Sequence, residues 1–238
     1  MTWTVLRTAL GQATVAVLAA ALCLGAGAAA AGERPVAPPA PQFDAPKAPG
    51  PAQTAVLAGG CFWGVQGVFE HLHGVRRVTA GYSGGAGAMA HYELVGTGTT
   101  GHAESVEIVF DPQLVSYGEI LQVFFGVAHD PTQRNRQGPD SGSQYRSAIF
   151  YADELQRKIA TQYIAQLTQA AVFAAPIATR VDAFSGFFPA EAYHQDFLLH
   201  NPGNPYIVIN DLPKISNFQR LLPGLYSPTP VTVTVASR

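Results

Sequence analysis

Residues 54–74 combine a buried strand, a glycine turn and an amphipathic helix, and they constrain the fold more than any other stretch of the chain. The apolar run 54–58 predicts a short buried strand that ends at the glycine pair 59–60. From Cys61 onward apolar residues recur at helical spacing, and Gly74 is typical of a helix C-terminal stop. We therefore predict that Cys61 lies in the first turn of a helix. Unpaired N–H groups and the helix dipole are expected to lower the pKa of its thiol there.

Strand and helix patterns alternate loosely along the rest of the chain. Strands are predicted over residues 75–81, 102–110, 145–151 and 177–183. One helix is predicted from the capping box at Ser116 to about His129. A long helix is predicted to start at the Asp153 cap, and its inward residues are Leu155, Ile159, Ile164 and Leu167. A short helix is predicted over residues 190–200. The chain after about residue 202 is rich in proline and is predicted to be mostly irregular. The fold class is therefore α/β (an α+β two-layer sandwich), with a mixed sheet, packed helices and a long irregular C-terminal tail.

The first 31 residues resemble a targeting segment rather than part of the fold. Arg7 gives a short positive start, residues 13–24 are apolar, and the small-residue run 25–31 offers several Ala-x-Ala cleavage sites. A membrane anchor is the alternative, but the apolar stretch is shorter than a span. Cys23 is not preceded by the small residue that a lipoprotein signal needs. We predict a signal peptide over 1–31, export to the periplasm or medium, and no stable membrane insertion after cleavage.

Residues 32–53 are predicted to be a proline-rich linker. Proline fixes φ and removes a backbone donor, so this segment is expected to be an extended, semi-rigid tether. The catalytic domain is then expected to span residues 54–238. Once residues 1–31 are removed, Cys61 is the only cysteine, and no intramolecular disulfide can form.

Charge composition narrows the class of partner. The 238 residues carry 14 Lys+Arg against 16 Asp+Glu, a formal net charge of −2, and 47% of them are hydrophobic. This near-neutral balance lacks the excess positive charge that binds nucleic acid or an anionic membrane. The expected partners are therefore small molecules or exposed side chains of other proteins. The histidines are scattered and no metal-ligand spacing is present, so we expect no metal. We also expect no cofactor and a monomeric protein.

Glu104 is the first candidate for acid–base chemistry. It shares strand parity with Val106, Ile108 and Phe110, and a carboxyl on that apolar face would be desolvated and its pKa raised. The alternative is that Glu104 lies beyond the end of the strand and is solvated. Periodicity alone does not separate the two.

Residues Gly60-Cys61-Phe62-Trp63-Gly64 resemble the signature of the peptide methionine-sulfoxide reductase A family. The resemblance continues in order from about Val56 to Lys214. Its further motifs are Gly81-Tyr82-Ser83-Gly84-Gly85, His91-Tyr92-Glu93, Gly101-His102-Ala103-Glu104, His129-Asp130-Pro131, Arg136-Gln137-Gly138-Pro139-Asp140, Gly142-Ser143-Gln144-Tyr145-Arg146-Ser147 and Ala190-Glu191-Ala192-Tyr193-His194-Gln195.

The resemblance implies an enzyme that reduces methionine S-sulfoxide, free or in proteins. It implies that Cys61 is the nucleophile and becomes a sulfenic acid, and that Glu104 protonates the sulfoxide oxygen. By the same resemblance, Phe62 and Trp63 form an apolar wall for the S-methyl group, although ordinary helix core is the alternative for that pair. The remaining substrate-binding candidates are Tyr92, Tyr145 and Asp140. The two tyrosines would hydrogen-bond the oxygen, whereas Asp140 would act through water or be a plain loop residue.

The chain departs from many members of that family in its cysteines. No cysteine lies between Pro202 and Arg238, so an internal disulfide cannot resolve the sulfenic acid. The resemblance then implies an external reductant, either a thioredoxin-like protein or a small thiol such as glutathione.

Two other functions fit parts of the pattern. A thiol hydrolase or acyl transferase would pair Cys61 with His102 or His194 as a base. A binding module would hold methionine sulfoxide against Phe62 and Trp63 and would tolerate loss of the thiol.

Overall fold

The structure, a computed structural model of the chain, describes Met1 and residues 34–233. The predicted signal peptide lies outside the described residues. The strands are β1 (Gln53–Gly59), β2 (Val75–Ser83), β3 (Ala103–Phe110), β4 (Arg136–Gln137), β5 (Asp140–Ser141), β6 (Ser147–Tyr151), β7 (Arg180–Ala183) and β8 (Phe187–Pro189). The α-helices are α1 (Phe62–Glu70), α2 (Tyr92–Val95), α3 (Tyr117–Val123), α4 (Glu154–Gln169), α5 (Phe197–His200) and α6 (Leu212–Leu221). Short 3₁₀ turns cover Gly87–Met89, Ser143–Tyr145 and Ala192–His194, and π turns cover Phe124–Ala128 and Ile207–Asp211.

Six strands form one mixed sheet in the order β7-β6-β1-β3-β2-β8. Its neighbouring strands are antiparallel except for the parallel pair β6 and β7. Helices α1, α3, α4 and α6 share the main apolar core with one face of this sheet, and a smaller cluster around Ala58 and Phe150 lies on the other face. The predicted mixed sheet with packed helices is therefore confirmed. Among the described residues, no helix has the length and apolar character needed to cross a bilayer.

The predicted helix caps of α3 and α4 are present. Ser116 forms a capping box with Glu119, and the Asp153 side chain accepts a hydrogen bond from the backbone N–H of Gln156. One inward residue of α4 was assigned wrongly, since Leu155 is 49% exposed. The buried stripe of α4 is Gln156, Ile159, Ala160, Tyr163 and Leu167, and the amide of Gln156 faces inward because it donates to the Thr54 carbonyl at 2.8 Å.

Two C-terminal predictions were wrong. Residues 190–200 do not form one helix, because Asp196 has a φ of 52° and separates a 3₁₀ turn from the short α5. The tail after residue 202 is not mostly irregular, since the π turn and α6 fill residues 207–221. Phe218 of α6 is fully buried in the main core, so this helix gains its stability from packing against the domain.

The proline-rich segment 34–52, here called the proline strap, is not a free tether. Proline carbonyls still accept hydrogen bonds, and Gln122 and Tyr163 donate to the carbonyls of Pro38 and Pro39, each at 2.8 Å. Asp44 accepts from the Ser116 hydroxyl at 2.5 Å and from the Gly118 N–H at 2.9 Å, so it extends the cap of α3. The folded domain therefore starts well before residue 54, which corrects the predicted boundary.

Candidate active site

Cys61 lies where β1 passes into α1. Gly60 adopts a φ of +91°, and a Cβ there would lie 2.5 Å from Gln137, so only glycine fits this turn. Cys61 is the N-cap residue of α1, one position before the first turn, and it is 9% exposed. The helix ends at Glu70, earlier than the Gly74 stop indicated, although Gly74 does have a positive φ.

The expected low pKa of the Cys61 thiol was wrong. Burial raises its pKa well above the ordinary value, and the charges of Glu104 and Asp211 raise it further. The backbone N–H of Trp63 acts in the opposite direction, as predicted for a helix N-terminus, but its effect is smaller. Cys61 therefore rests as a thiol at neutral pH.

Glu104, in β3, contacts the first residue of α1. It is 4% exposed, and its Oε2 accepts a hydrogen bond from the Phe62 N–H at 3.0 Å. Burial raises the pKa of this carboxyl to about 8, in spite of the opposing hydrogen bond from Phe62. The desolvated alternative for Glu104 is thus the correct one, and the group holds a proton at neutral pH.

Two half-buried tyrosines, Tyr92 and Tyr145, lie close enough to Glu104 and Cys61 for the charges of these groups to change their pKa values. Burial raises the pKa of Tyr145, and the charges of Glu104, Asp140 and Cys61 raise it further. The pKa of Tyr92 is also raised by burial and then by Glu104 and Cys61. Both phenols therefore remain protonated at neutral pH and are available as hydrogen-bond donors.

Aromatic side chains surround Trp63. The ring of Phe197 stacks on Trp63 with centroids 3.8 Å apart and an interplanar angle of 11°, and Tyr206 meets it edge-on at 5.9 Å. The indole Nε1–H donates to Nδ1 of His194 at 3.1 Å, which fixes the ring plane. The ring of Phe62 packs against that of His194, with centroids 5.0 Å apart. Phe62 is buried, whereas Trp63 is partly exposed. Trp63 can therefore contact a ligand, and Phe62 supports it from the core.

Asp140 joins the site through a tyrosine. It lies at the start of β5, is half-buried, and accepts a short hydrogen bond from the Tyr206 hydroxyl. Burial raises the pKa of Asp140, and the hydrogen bond from Tyr206 and the charge of Lys214 lower it. Asp140 is therefore not a plain solvated loop residue.

Residues 53–223 match the family described as peptide methionine sulfoxide reductase. The chain belongs to this family. A peptide methionine sulfoxide reductase MsrA 2 from Mesorhizobium japonicum is 59% identical over 195 residues, which cover 82% of this chain and 100% of the relative. The chain is therefore an oxidoreductase that reduces methionine sulfoxide.

Solved structures agree with this fold. Methionine sulfoxide reductase A of Corynebacterium diphtheriae has a TM-score of 0.53 at 33% identity, covering 67% of this chain and 86% of that one. Reduced Mxr1 from Saccharomyces cerevisiae has a TM-score of 0.59 at 28% identity, covering 68% of this chain and 92% of that one. The mixed sheet with packed helices is thus shared with these two enzymes.

Neither histidine considered as the base of a thiol hydrolase or acyl transferase is hydrogen-bonded to Cys61. Nδ1 of His102 accepts a hydrogen bond from the Gly85 N–H, and Nε2 of the same ring lies 3.0 Å from the carbonyl oxygen of Ala86. It therefore holds the loop at Gly85 and Ala86 that follows β2. His194 holds Trp63, and burial lowers its pKa. Within the part of the chain that the structure describes, no three metal-ligating side chains could hold a metal ion.

Sequence reasoning missed several residues of the reductase site. Tyr206 and Phe197 belong to segments that were predicted as irregular tail or continuous helix, so their approach to Trp63 was not foreseen. Asp211 packs so closely on α1 that a Cβ on Gly64 would lie 2.0 Å from its Oδ1, and Lys214 lies 3.5 Å from the same oxygen. The i,i+3 spacing of Asp211 and Lys214 before an apolar stripe was a signal for α6.

Proposed function

We propose that Cys61 is the nucleophile that takes the oxygen from methionine S-sulfoxide, and that Glu104 is the acid that protonates this oxygen. The observation that carries the proposal is the 3.0 Å hydrogen bond between the Phe62 N–H and Glu104, which ties a protonated carboxyl to the residue after the thiol. A sulfoxide sulfur is a poor electrophile until its oxygen is protonated, so the two groups must act at one point.

The proton balance follows from the resting state of the two groups. Cys61 starts as a thiol and Glu104 as an acid. As the sulfur of Cys61 bonds to the sulfoxide sulfur, Glu104 gives its proton to the oxygen and takes up the proton of the thiol. The hydroxyl then passes from the substrate sulfur to the sulfur of Cys61: the S–O bond of the substrate and the transient bond between the two sulfurs break, and a new S–O bond forms on Cys61. The products are methionine and Cys61 sulfenic acid, and Glu104 ends protonated.

Substrate binding is assigned to the partly exposed rings around Cys61. Trp63, supported by Phe62 and Phe197, offers a flat apolar surface to the S-methyl group. Tyr92 and Tyr145 are proposed to donate hydrogen bonds to the sulfoxide oxygen; this role is supported by their raised pKa values, which keep both phenols protonated. Asp140 supports this surface by holding the Tyr206 hydroxyl beside Trp63.

Recycling is proposed to depend on an external thiol. The segment 54–238 contains no cysteine besides Cys61, so the sulfenic acid must be reduced by a thioredoxin-like protein or by a small thiol. In both cases the first product is a mixed disulfide on Cys61, and a second thiol releases the enzyme.

Steady-state assays on the two sulfoxide epimers test the assignment. We expect turnover of the S-epimer with added thiol, little with the R-epimer, and none in Cys61→Ser, because a serine hydroxyl is not ionised near neutral pH. A binding module would retain its affinity for the sulfoxide in Cys61→Ser and would show no turnover in the unchanged protein. Turnover above a few per cent in Cys61→Ser would remove Cys61 from the mechanism.

We also propose that the protein is exported, with residues 1–31 as a cleaved signal peptide. The support is the sequence pattern of Arg7, the apolar residues 13–24 and the alanine run ending at Ala31. Mass spectrometry of protein from the exporting cell should find a chain that starts after this run and lacks Cys23. Intact residues 1–31 in a membrane fraction would instead indicate an anchor.

A further inference from the structure

Glu191 is the N-cap residue of the 3₁₀ turn Ala192–His194, and its carboxylate contacts three separate parts of the fold. Oε1 accepts a hydrogen bond from the backbone N–H of Tyr92 at 3.0 Å, and Oε2 accepts one from the hydroxyl of Tyr82 at 2.9 Å. Oε2 also lies 4.0 Å from Nε2 of His194. One side chain therefore connects β2, the first residue of α2 and the 3₁₀ turn.

The Glu191 side chain is ionised at neutral pH. Burial acts to raise the pKa of this carboxyl, but hydrogen bonds, above all the one from the Tyr92 N–H, hold the pKa below its usual value. An ionised carboxylate only accepts hydrogen bonds, and it can do so on both oxygens at once. Glu191 is thus suited to hold two donors in a fixed relation to each other.

The contacts of His194 determine its tautomer. The indole Nε1–H of Trp63 can only donate, so Nδ1 of His194 accepts that 3.1 Å hydrogen bond. Burial lowers the pKa of the imidazole, in agreement with a neutral ring. The one ring proton is therefore on Nε2, which is buried and has no hydrogen-bond partner among the described residues. The negative charge of Glu191, 4.0 Å away, favours a proton on this nitrogen and hence the tautomer that Trp63 requires.

His194 contacts both of the side chains that are proposed to bind the two ends of the S–O and S-methyl groups. Its ring centroid lies 4.4 Å from that of Tyr92 and 5.9 Å from that of Trp63. His194 is 1% exposed, so it supports these rings from behind and does not itself face the substrate. Glu191 therefore acts on Tyr92 through the backbone and on Trp63 through the imidazole.

The two epimers of methionine sulfoxide differ only in the arrangement of groups around the sulfur. The sulfur carries an oxygen, a methyl group and the side-chain methylene, and exchanging the first two converts one epimer into the other. A site separates the epimers when the oxygen donor and the methyl surface are held on different, fixed sides of the sulfur. If these two parts of the site can move relative to each other, the wrong epimer is excluded less well.

We infer that Glu191 determines the epimer specificity of this reductase, because it fixes the oxygen donor Tyr92 and the methyl surface of Trp63 relative to each other. The inference rests on the proposed function, in which those two side chains bind the oxygen and the methyl group. Glu191 and His194 act through Tyr92 and Trp63, so they are positioning residues. Loss of the carboxylate should slow reduction of the S-epimer without an equal loss for the R-epimer.

The test is the ratio of kcat/KM for the S-epimer to kcat/KM for the R-epimer. It is measured with dithiothreitol as reductant and with enough enzyme to detect slow reduction of the R-epimer. We expect the ratio to fall about tenfold in Glu191→Ala, the effect of losing roughly one hydrogen bond from the correct complex. Glu191→Gln keeps one acceptor oxygen and should lose less. Glu93→Gln is the matched control, because Glu93 is an exposed glutamate next to Tyr92 in the chain, and the ratio should not change there.

A second variant tests the step through the imidazole. His194→Phe keeps a ring in the packed position but removes the acceptor for the Trp63 indole, so the ratio should fall in this variant too. Thermal unfolding shows which variants are folded, and Glu191→Gln and His194→Phe decide the question if Glu191→Ala is not. An unchanged ratio in a folded Glu191 variant or in His194→Phe overturns the inference. Equal losses for both epimers also overturn it, because a purely structural role would produce them.

Failure of the proposed function has a different signature. The unchanged protein would then reduce neither epimer with dithiothreitol, or Cys61→Ser would still turn over. If the unchanged protein prefers the S-epimer and Cys61→Ser is inactive, a constant ratio in the Glu191 variants contradicts only the role of Glu191.

Discussion

The backbone N–H of Phe62 donates a 3.0 Å hydrogen bond to Oε2 of Glu104, so the acid of β3 is attached to the first residue of the helix that follows Cys61. This hydrogen bond fixes the position of Glu104 relative to the Cys61 thiol, but it brings no positive charge to the carboxyl. Because the carboxyl is otherwise buried, its pKa rises to about 8 and it retains a proton at neutral pH.

Replacing Glu104 by glutamine should slow the first turnover by roughly 10²–10⁴-fold, the usual effect of removing a general acid. The amide keeps the shape of the side chain and still accepts the hydrogen bond from Phe62, but it cannot release a proton. Rapid mixing with excess enzyme measures this step directly. The sulfoxide affinity should change much less, and an unchanged single-turnover rate would remove Glu104 from the reaction.

The rate of the first turnover should fall as the pH rises through about 8. Above that pH Glu104 is ionised, so it cannot protonate the sulfoxide oxygen, and its negative charge further raises the pKa of the Cys61 thiol. A free cysteine behaves in the opposite way, since it becomes more reactive as it ionises. The measurement is a single-turnover pH profile. The alkaline decrease should be absent from Glu104→Gln, and a rate that keeps rising to pH 9.5 in the unchanged protein would contradict the assignment.

A second buried carboxyl predicts a pH dependence of stability. Glu70 is 1% exposed, and burial followed by Asp196 raises its pKa to about 9. A carboxyl whose pKa is higher in the folded state binds more protons there, so its contribution to folding is lost between the unfolded value of about 4.5 and about 9. Thermal unfolding should show Glu70→Gln gaining stability relative to the unchanged protein from pH 6 to pH 9. A constant difference between the two proteins over that range would show that Glu70 ionises normally.

The proline strap should stabilise α3 through Asp44. Asp44→Ala removes the acceptor for the Ser116 hydroxyl and the Gly118 N–H, and loss of such a cap lowers the free energy of unfolding by about 1 kcal/mol. Asp44→Asn keeps one acceptor oxygen and should lose less. Urea unfolding of the two variants measures the difference. Equal stability of Asp44→Ala and the unchanged protein would mean that the Asp44 contacts do not stabilise α3.

Local patterns predicted much of the fold, because they depend on short-range rules. The turn at Gly60 and the capping box at Ser116 each follow from neighbours within a few residues. The burial of Glu104 did not, because strand periodicity left its buried and solvated alternatives open. The errors came from long-range contacts. Proline carbonyls in the strap find donors on α3 and α4, over 80 residues along the chain from Pro38, and no local pattern contains that information. The pKa of Cys61 was predicted in the wrong direction for the same reason, since burial outweighs the helix terminus.

The most direct measurement is the amount of methionine released by enzyme without any reductant. The protein should carry Cys23→Ser, so that Cys61 is its one thiol. The account predicts one equivalent of methionine per chain, followed by a stop, with Cys61 sulfenic acid trapped by a dimedone-type reagent and identified by mass. Adding glutathione or dithiothreitol should restart the reaction. Release of more than one equivalent without added thiol, or no sulfenic acid on Cys61 after the first equivalent, would contradict the account.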